Sequence, residues 1–65
     1  MTKTFPKNAV FVRRPNQLYT IMDFHDGDIL ELYSTERNER YAWYQRKTKP
    51  QDIRLVSIDE VEELL

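Results

Sequence analysis

The chain has 65 residues, a formal net charge of −1, no cysteine and one histidine. That length holds one domain, which buries only about 60% of its unfolded surface. Disulfides and thiolate metal sites are excluded, and a single histidine cannot supply the usual zinc ligand set. Stability is therefore expected from dense packing of the eight aromatics, or from association with a partner.

The opening stretch MTKTFPKNAV lacks the apolar core of a signal peptide. No apolar run approaches 18 residues, so no membrane-spanning helix is expected. A cytoplasmic location without membrane contact is the expectation from both, and the lack of cysteine agrees with it. AVFV (9–12) predicts a first strand, and Pro15-Asn16 a turn. LYTIMDF (18–24) and ILELYS (29–34) predict two strands joined at Asp26-Gly27, a strong hairpin signal. In that register Ile21 would face Leu32, and Phe24 would face Ile29. Both faces of this hairpin carry apolar residues, which suits strands bending across a small barrel.

TERNE (35–39) predicts a loop and RYAWYQRK (40–47) a fourth strand. Tyr41, Trp43 and Gln45 share one face of it, and Ala42, Tyr44 and Arg46 the other. TKPQ predicts a turn around Pro50, and DIRLVSI (52–58) a fifth extended segment. The end has two readings. Ser57 and Glu60 form a capping-box pair that could start a short helix with Val61, Leu64 and Leu65 on one face. Alternatively, Ile58-Asp59-Glu60 makes one 3₁₀ turn, followed by a short strand.

The order of these elements resembles that of the SH3-like small β-barrels of bacterial and phage proteins. The resemblance runs from Ala9 to Leu65 and is one of pattern. It rests on the hairpin LYTIMDFHDGDILELYS, the aromatic strand RYAWYQRK and the ending IRLVSIDEVEEL. It implies an all-β or mainly β fold, a five-stranded small barrel ending in a 3₁₀ turn or short helix. It names no function, because such barrels host peptide binders, nucleic-acid binders and inhibitors alike. The Val-Gln-Ile-Tyr motif of the plasmid-type dihydrofolate reductases is absent, as Arg54-Leu55-Val56-Ser57 stands here. The ALYDY-type motif of eukaryotic SH3 domains is absent too.

Three clusters could carry function. Asp23, His25, Asp26 and Asp28 surround the one glycine. Carboxylates beside a histidine could share a cation, but the spacing is not that of a calcium loop, and a solvated turn is the expected reading. Tyr41, Trp43 and Tyr44, with Arg13, Arg14, Arg46 and Lys47, are the candidate binding residues. Aromatics and arginine suit a protein interface. The same set could stack on bases and hold phosphates, if the cations converge on an exposed aromatic. The plain alternative puts Trp43 and Tyr41 in the core with the cations as a solvated rim.

The third cluster is Asp59, Glu60, Glu62 and Glu63, a candidate docking edge. Charge is split along the chain, net +3 over residues 1–50 and −4 over 51–65, which disfavours a plain polyanion binder. No nucleophile has an identifiable base, and one glycine cannot build a phosphate loop. The expectation is a non-catalytic module without cofactor or metal. It binds a protein partner as a standalone adaptor or inhibitor. Nucleic-acid binding is the alternative, and a homodimer a further mode of association.

Overall fold

A computed structural model describes residues 4–64, with side chains at all of these except 35–37. Five antiparallel strands and one 3₁₀ turn make up its regular structure. They are β1 (Asn8–Phe11), β2 (Ile29–Arg37), β3 (Tyr41–Arg46), β4 (Lys49–Ser57), the turn Ile58–Glu60, and β5 (Val61–Glu63). The sheet order is β4-β3-β2-β1-β5. The mainly β expectation holds, and the C-terminal ending resolves to the 3₁₀ turn plus strand rather than a helix. The Ser57–Glu60 box is present, but it caps this single turn. Ser57 N–H donates to Glu60 Oε1 at 3.0 Å, and Asp59 N–H donates to Ser57 Oγ at 3.3 Å. The chain then reverts to extended backbone at Val61, which pairs with Phe11 of β1.

Strands β2, β3 and β4 form a meander whose paired residues alternate between two faces, with register shifts between Leu32 and Arg37 and between Gln45 and Arg46. Leu32 pairs with Tyr44, Ala42 with Val56, and Tyr44 with Arg54. These residues lie on one face, toward the core. The core comprises Phe5, Ala9, Phe11, Phe24, Leu30, Ala42, Tyr44, Val56 and Val61, with Tyr19, Leu32 and Ile58 packed against it. Leu30 and Tyr44 are fully buried, and burial of such side chains contributes about 1.5–3 kcal/mol each. Tyr44 satisfies its hydroxyl by donating to Pro6 O at 2.5 Å, and its ring meets Phe5 at 6.3 Å between centroids.

Two loop boundaries move. β2 continues through Arg37, so the loop expected at 35–39 shrinks to residues 38–40. Asn38 organises it, its Oδ1 accepting the N–H groups of Arg40 and Tyr41 at 2.8 Å each. This is the local side-chain turn that asparagine favours. The turn expected around Pro50 instead falls at Lys47-Thr48, and Pro50 sits inside β4. An edge strand tolerates proline because one side of its backbone has no ladder to supply.

The largest correction concerns residues 18–24, which form no strand. Residues 12–28 are instead one long connection from β1 to β2. Asp26-Gly27 does turn the chain, but not as the tip of a hairpin between 18–24 and 29–34. Among the described residues Gly27 alone has a positive φ, at 92°, and Asp28 N–H donates to His25 O at 3.0 Å. Gly27 N–H donates to Phe11 O at 2.7 Å, and Phe11 N–H donates to Asp28 O at 2.8 Å. The turn therefore delivers β2 to β1, whose Val10 pairs with Ile29. Of the apolar residues in 18–24, only Phe24 is buried, edge-on to Phe11 at 5.6 Å; Tyr19 is partly buried.

Candidate interaction surface

Polar side chains, not a ladder, hold the long connection in place. Arg13 N–H donates to Asp26 Oδ1 at 2.8 Å, and Arg13 Nε donates to Phe24 O at 3.0 Å. Its guanidinium also lies 4.7 Å from the Tyr19 ring centre. Arg14 N–H donates to the Tyr19 hydroxyl oxygen at 2.9 Å, and Arg14 Nε donates to Asp59 O at 2.5 Å. Tyr19 in turn donates to Glu60 Oε2 at 2.6 Å. Burial raises the Tyr19 phenol above its usual 10.0, and the bond to Glu60 adds to the rise, against the lowering by the Arg14 N–H. This chain of bonds fastens the connection to the 3₁₀ turn.

The aspartate–histidine cluster is part of the same fastening. Asp28 Oδ2 accepts from His25 N–H at 2.8 Å and from Arg46 Nη2 at 2.8 Å. Burial pushes the Asp28 carboxyl up, but the His25 N–H and the Arg46 guanidinium outweigh it and hold it below its usual 3.8. Asp23 accepts from Thr20 N–H at 2.7 Å. Each aspartate thus closes its own piece of loop. Among the described residues, no group of three or more potential ligands is placed to hold a metal ion.

The candidate binding residues separate. Tyr44 is fully buried and leaves the set. Arg46 lies on the core face of β3, bridging Asp28 at 2.8 Å and Asp52 at 2.6 Å, with its guanidinium 5.2 Å from the Phe24 ring centre. Arg13 and Arg14 belong to the fastening of the connection. Lys47 is exposed in the β3–β4 turn. The four cations do not converge on an exposed aromatic.

Tyr41 and Trp43 do stay together, on the outer face of β3, so the reading that puts them in the core is overturned. Alternation alone places Trp43 opposite Tyr44; the small residues Ala9 and Ala42 make room for Tyr44 on the inner side. Trp43 pairs with Leu55 of β4, Gln45 with Ile53, and Tyr41 with Ser57. Tyr33, just past Leu32 where the β2–β3 register shifts, is exposed as well. Tyr33, Tyr41, Trp43 and Leu55 are each 41–55% exposed. Among the described residues, Glu31 carries the one charge on the paired outer positions of β2 to β4, and Gln45 Nε2 donates to it at 3.3 Å. Tyr33 and Leu55 were not among the residues singled out from sequence, although alternation along β4 would have placed Leu55.

The acidic end also divides. Glu60 uses both carboxylate oxygens internally, toward Ser57 and Tyr19. Asp59 lends its carbonyl to Arg14. Glu62 and Glu63 remain exposed, beside a depression of about 520 Å³ that Thr4, Pro6, Ile58 and Val61 complete. Comparison with known protein families, with curated proteins and with solved structures finds no match.

Proposed function

We propose that this chain is a non-catalytic protein-binding module, and that the outer face of β2 to β4 is its contact surface. One observation carries the reading: half-exposed Tyr41, Trp43 and Leu55 share one sheet face, and among the described residues its paired positions hold no cation. Aromatic side chains present large, rigid contact area and are enriched where protein interfaces concentrate their energy. A nucleic-acid platform needs cations interleaved with its aromatics to neutralise phosphates. Here the charge at the described paired positions is Glu31, and Arg13, Arg14, Arg46 and Arg54 are spent on carbonyls and aspartates of the fold, while Arg40 beside Tyr41 stays exposed. An SH3-like small barrel is the architecture that fits this reading. The sheet order, with β5 returning beside β1 through a 3₁₀ turn, supports it. A standalone adaptor or inhibitor of bacterial or phage type, working in the cytoplasm, is the matching role.

The test is a pull-down from nuclease-treated bacterial lysate at low and moderate salt, with the wild type and Trp43→Ser side by side. The expected result is a stoichiometric protein that survives nuclease and salt and is lost with Trp43→Ser. Recovery of nucleic acid that falls steeply with salt would overturn the proposal, because that slope reports released counterions.

A further inference from the structure

Strand β5 lies at one edge of the sheet, with β1 on one side only. Its backbone alternates between the two sides. Val12 N–H donates to Glu60 O at 2.7 Å, Leu64 N–H donates to Asn8 O at 3.0 Å, and Val10 pairs with Glu62 between them. Glu60, Glu62 and Leu64 therefore turn their peptide groups toward β1, and Val61 and Glu63 turn theirs outward. Among the described residues, no hydrogen bond reaches those outward groups. Beside this edge lies the depression of about 520 Å³. Pro6, Ile58 and Val61 give it an apolar wall, and the exposed Glu62 and Glu63 add two carboxylates to its lining. The opposite edge, β4, is closed by its own residues. Pro50 has no donor, and the register with β3 shifts between Gln45 and Arg46. Arg54 Nη1 donates to Ile53 O at 2.8 Å, and Ser57 N–H is taken by Glu60.

We propose that an extended, basic segment of a protein partner pairs antiparallel with β5 and sets one apolar side chain in the depression. The inference rests on the protein-binding reading, but not on the outer face of β2 to β4. Three features specify the occupant. Outward N–H and C=O groups at alternate residues are met by an extended backbone, which adds a strand to the sheet. The wall of Pro6, Ile58 and Val61 takes an apolar side chain from the residue opposite Val61. Glu62 and Glu63 project to opposite sides of β5, so each calls for a cation on its own side of the added strand. The partner strand therefore reads basic, basic, apolar across from Glu63, Glu62 and Val61.

The test titrates the full chain with the end-blocked peptide Thr-Lys-Arg-Val-Thr and follows the backbone amides by NMR. Saturable shifts should appear at the Val61 and Glu63 amides, with a dissociation constant below about 1 mM. Solvent exchange of these two amides should slow, since each gains an acceptor. Replacing the Lys and Arg of the peptide by Glu should weaken binding at least about fivefold, as two exposed ion pairs are lost. The double variant E62K/E63K should weaken the basic peptide by a similar factor and prefer the acidic one. It should melt within about 4 °C of the wild type, because both side chains are exposed. Should it fail to fold, the charge-reversed peptide on the wild type still decides. Trp43→Ser should bind the basic peptide as the wild type does. Absence of saturable binding overturns the strand addition and leaves the outer-face reading intact. Binding that spares the Val61 and Glu63 amides, or ignores the charge reversals, overturns it as well. Binding lost with Trp43→Ser but kept by E62K/E63K also overturns it, by moving the peptide to the outer face. A free chain that already protects these amides in a dimer lost on dilution would overturn it too, by making the partner a second copy. Peptide binding at β5 together with a lysate capture indifferent to Trp43→Ser keeps β5 and removes the outer face.

Discussion

The meander of residues 29–57 and the connection of residues 12–28 are built on opposite principles. In the meander the ladder positions the paired residues, and alternation sorts their side chains into core and surface. Tyr44 and Trp43 are neighbours with opposite fates for that reason alone. In the connection there is no ladder, and charged or hydroxyl side chains hold the backbone. Arg13, Arg14, Asp23, Asp26, Asp28 and Tyr19 each bond to a backbone group within it or beside it. Residues that look like functional groups in the sequence are thus fasteners, while Tyr41, Trp43 and Leu55 stay half-exposed.

Substitutions should separate the two regions. Tyr44→Ala in the meander is expected to cost about 3–5 kcal/mol, as large-to-small core changes do. A domain of this size has about 3–10 kcal/mol in total, so urea denaturation should find the variant largely unfolded. Arg46→Ala, which releases the connection from β3, should cost about 1.5–3 kcal/mol, the range for hydrogen bonds to charged groups. Its effect should depend on pH. The Asp28 carboxyl is held below 3.8 in the folded chain, so its stabilisation is complete above that value and is lost as pH falls through the folded value. The gap between wild type and Arg46→Ala should therefore narrow below pH 3.8 in acid titrations followed by circular dichroism.

Gly27→Ala sharpens the comparison, because a Cβ there meets no atom within 4 Å and only the φ of 92° is strained. It should cost about 1–2 kcal/mol by denaturant midpoint. Smallest of all, Trp43→Ser should cost about 1 kcal/mol, from the covered part of its ring and its cross-strand pair with Leu55, well short of Tyr44→Ala. A loss as large as that of Tyr44→Ala would break the distinction between the two faces.

How much the sequence disclosed follows the same division. The strand at Tyr41–Arg46 and its two faces were legible, since each depends on neighbours along the chain, whereas the end after Ser57 was legible only as two alternatives, a 3₁₀ turn plus strand or a short helix. Residues 18–24 were misread because Tyr19, Ile21, Met22 and Phe24 favour a strand wherever local preference decides. What decides here is distant: Tyr19 meets Glu60, 41 residues away, and Arg54 meets Met22, 32 residues away. The apolar residues on both faces of that expected strand were the available signal that it does not lie flat in a sheet. For the surface, alternation told that Trp43 and Tyr44 part company, but not which goes inside. Inside, Tyr44 meets Phe5 and Pro6, 39 and 38 residues away along the chain, which local pattern cannot weigh.

The fluorescence of Trp43, the single tryptophan, tests most directly whether the outer face is open to a partner. In the isolated folded chain, its emission should lie near that of the urea-unfolded chain and be quenched readily by acrylamide. A blue-shifted emission protected from acrylamide would place Trp43 in an apolar interior and contradict the account.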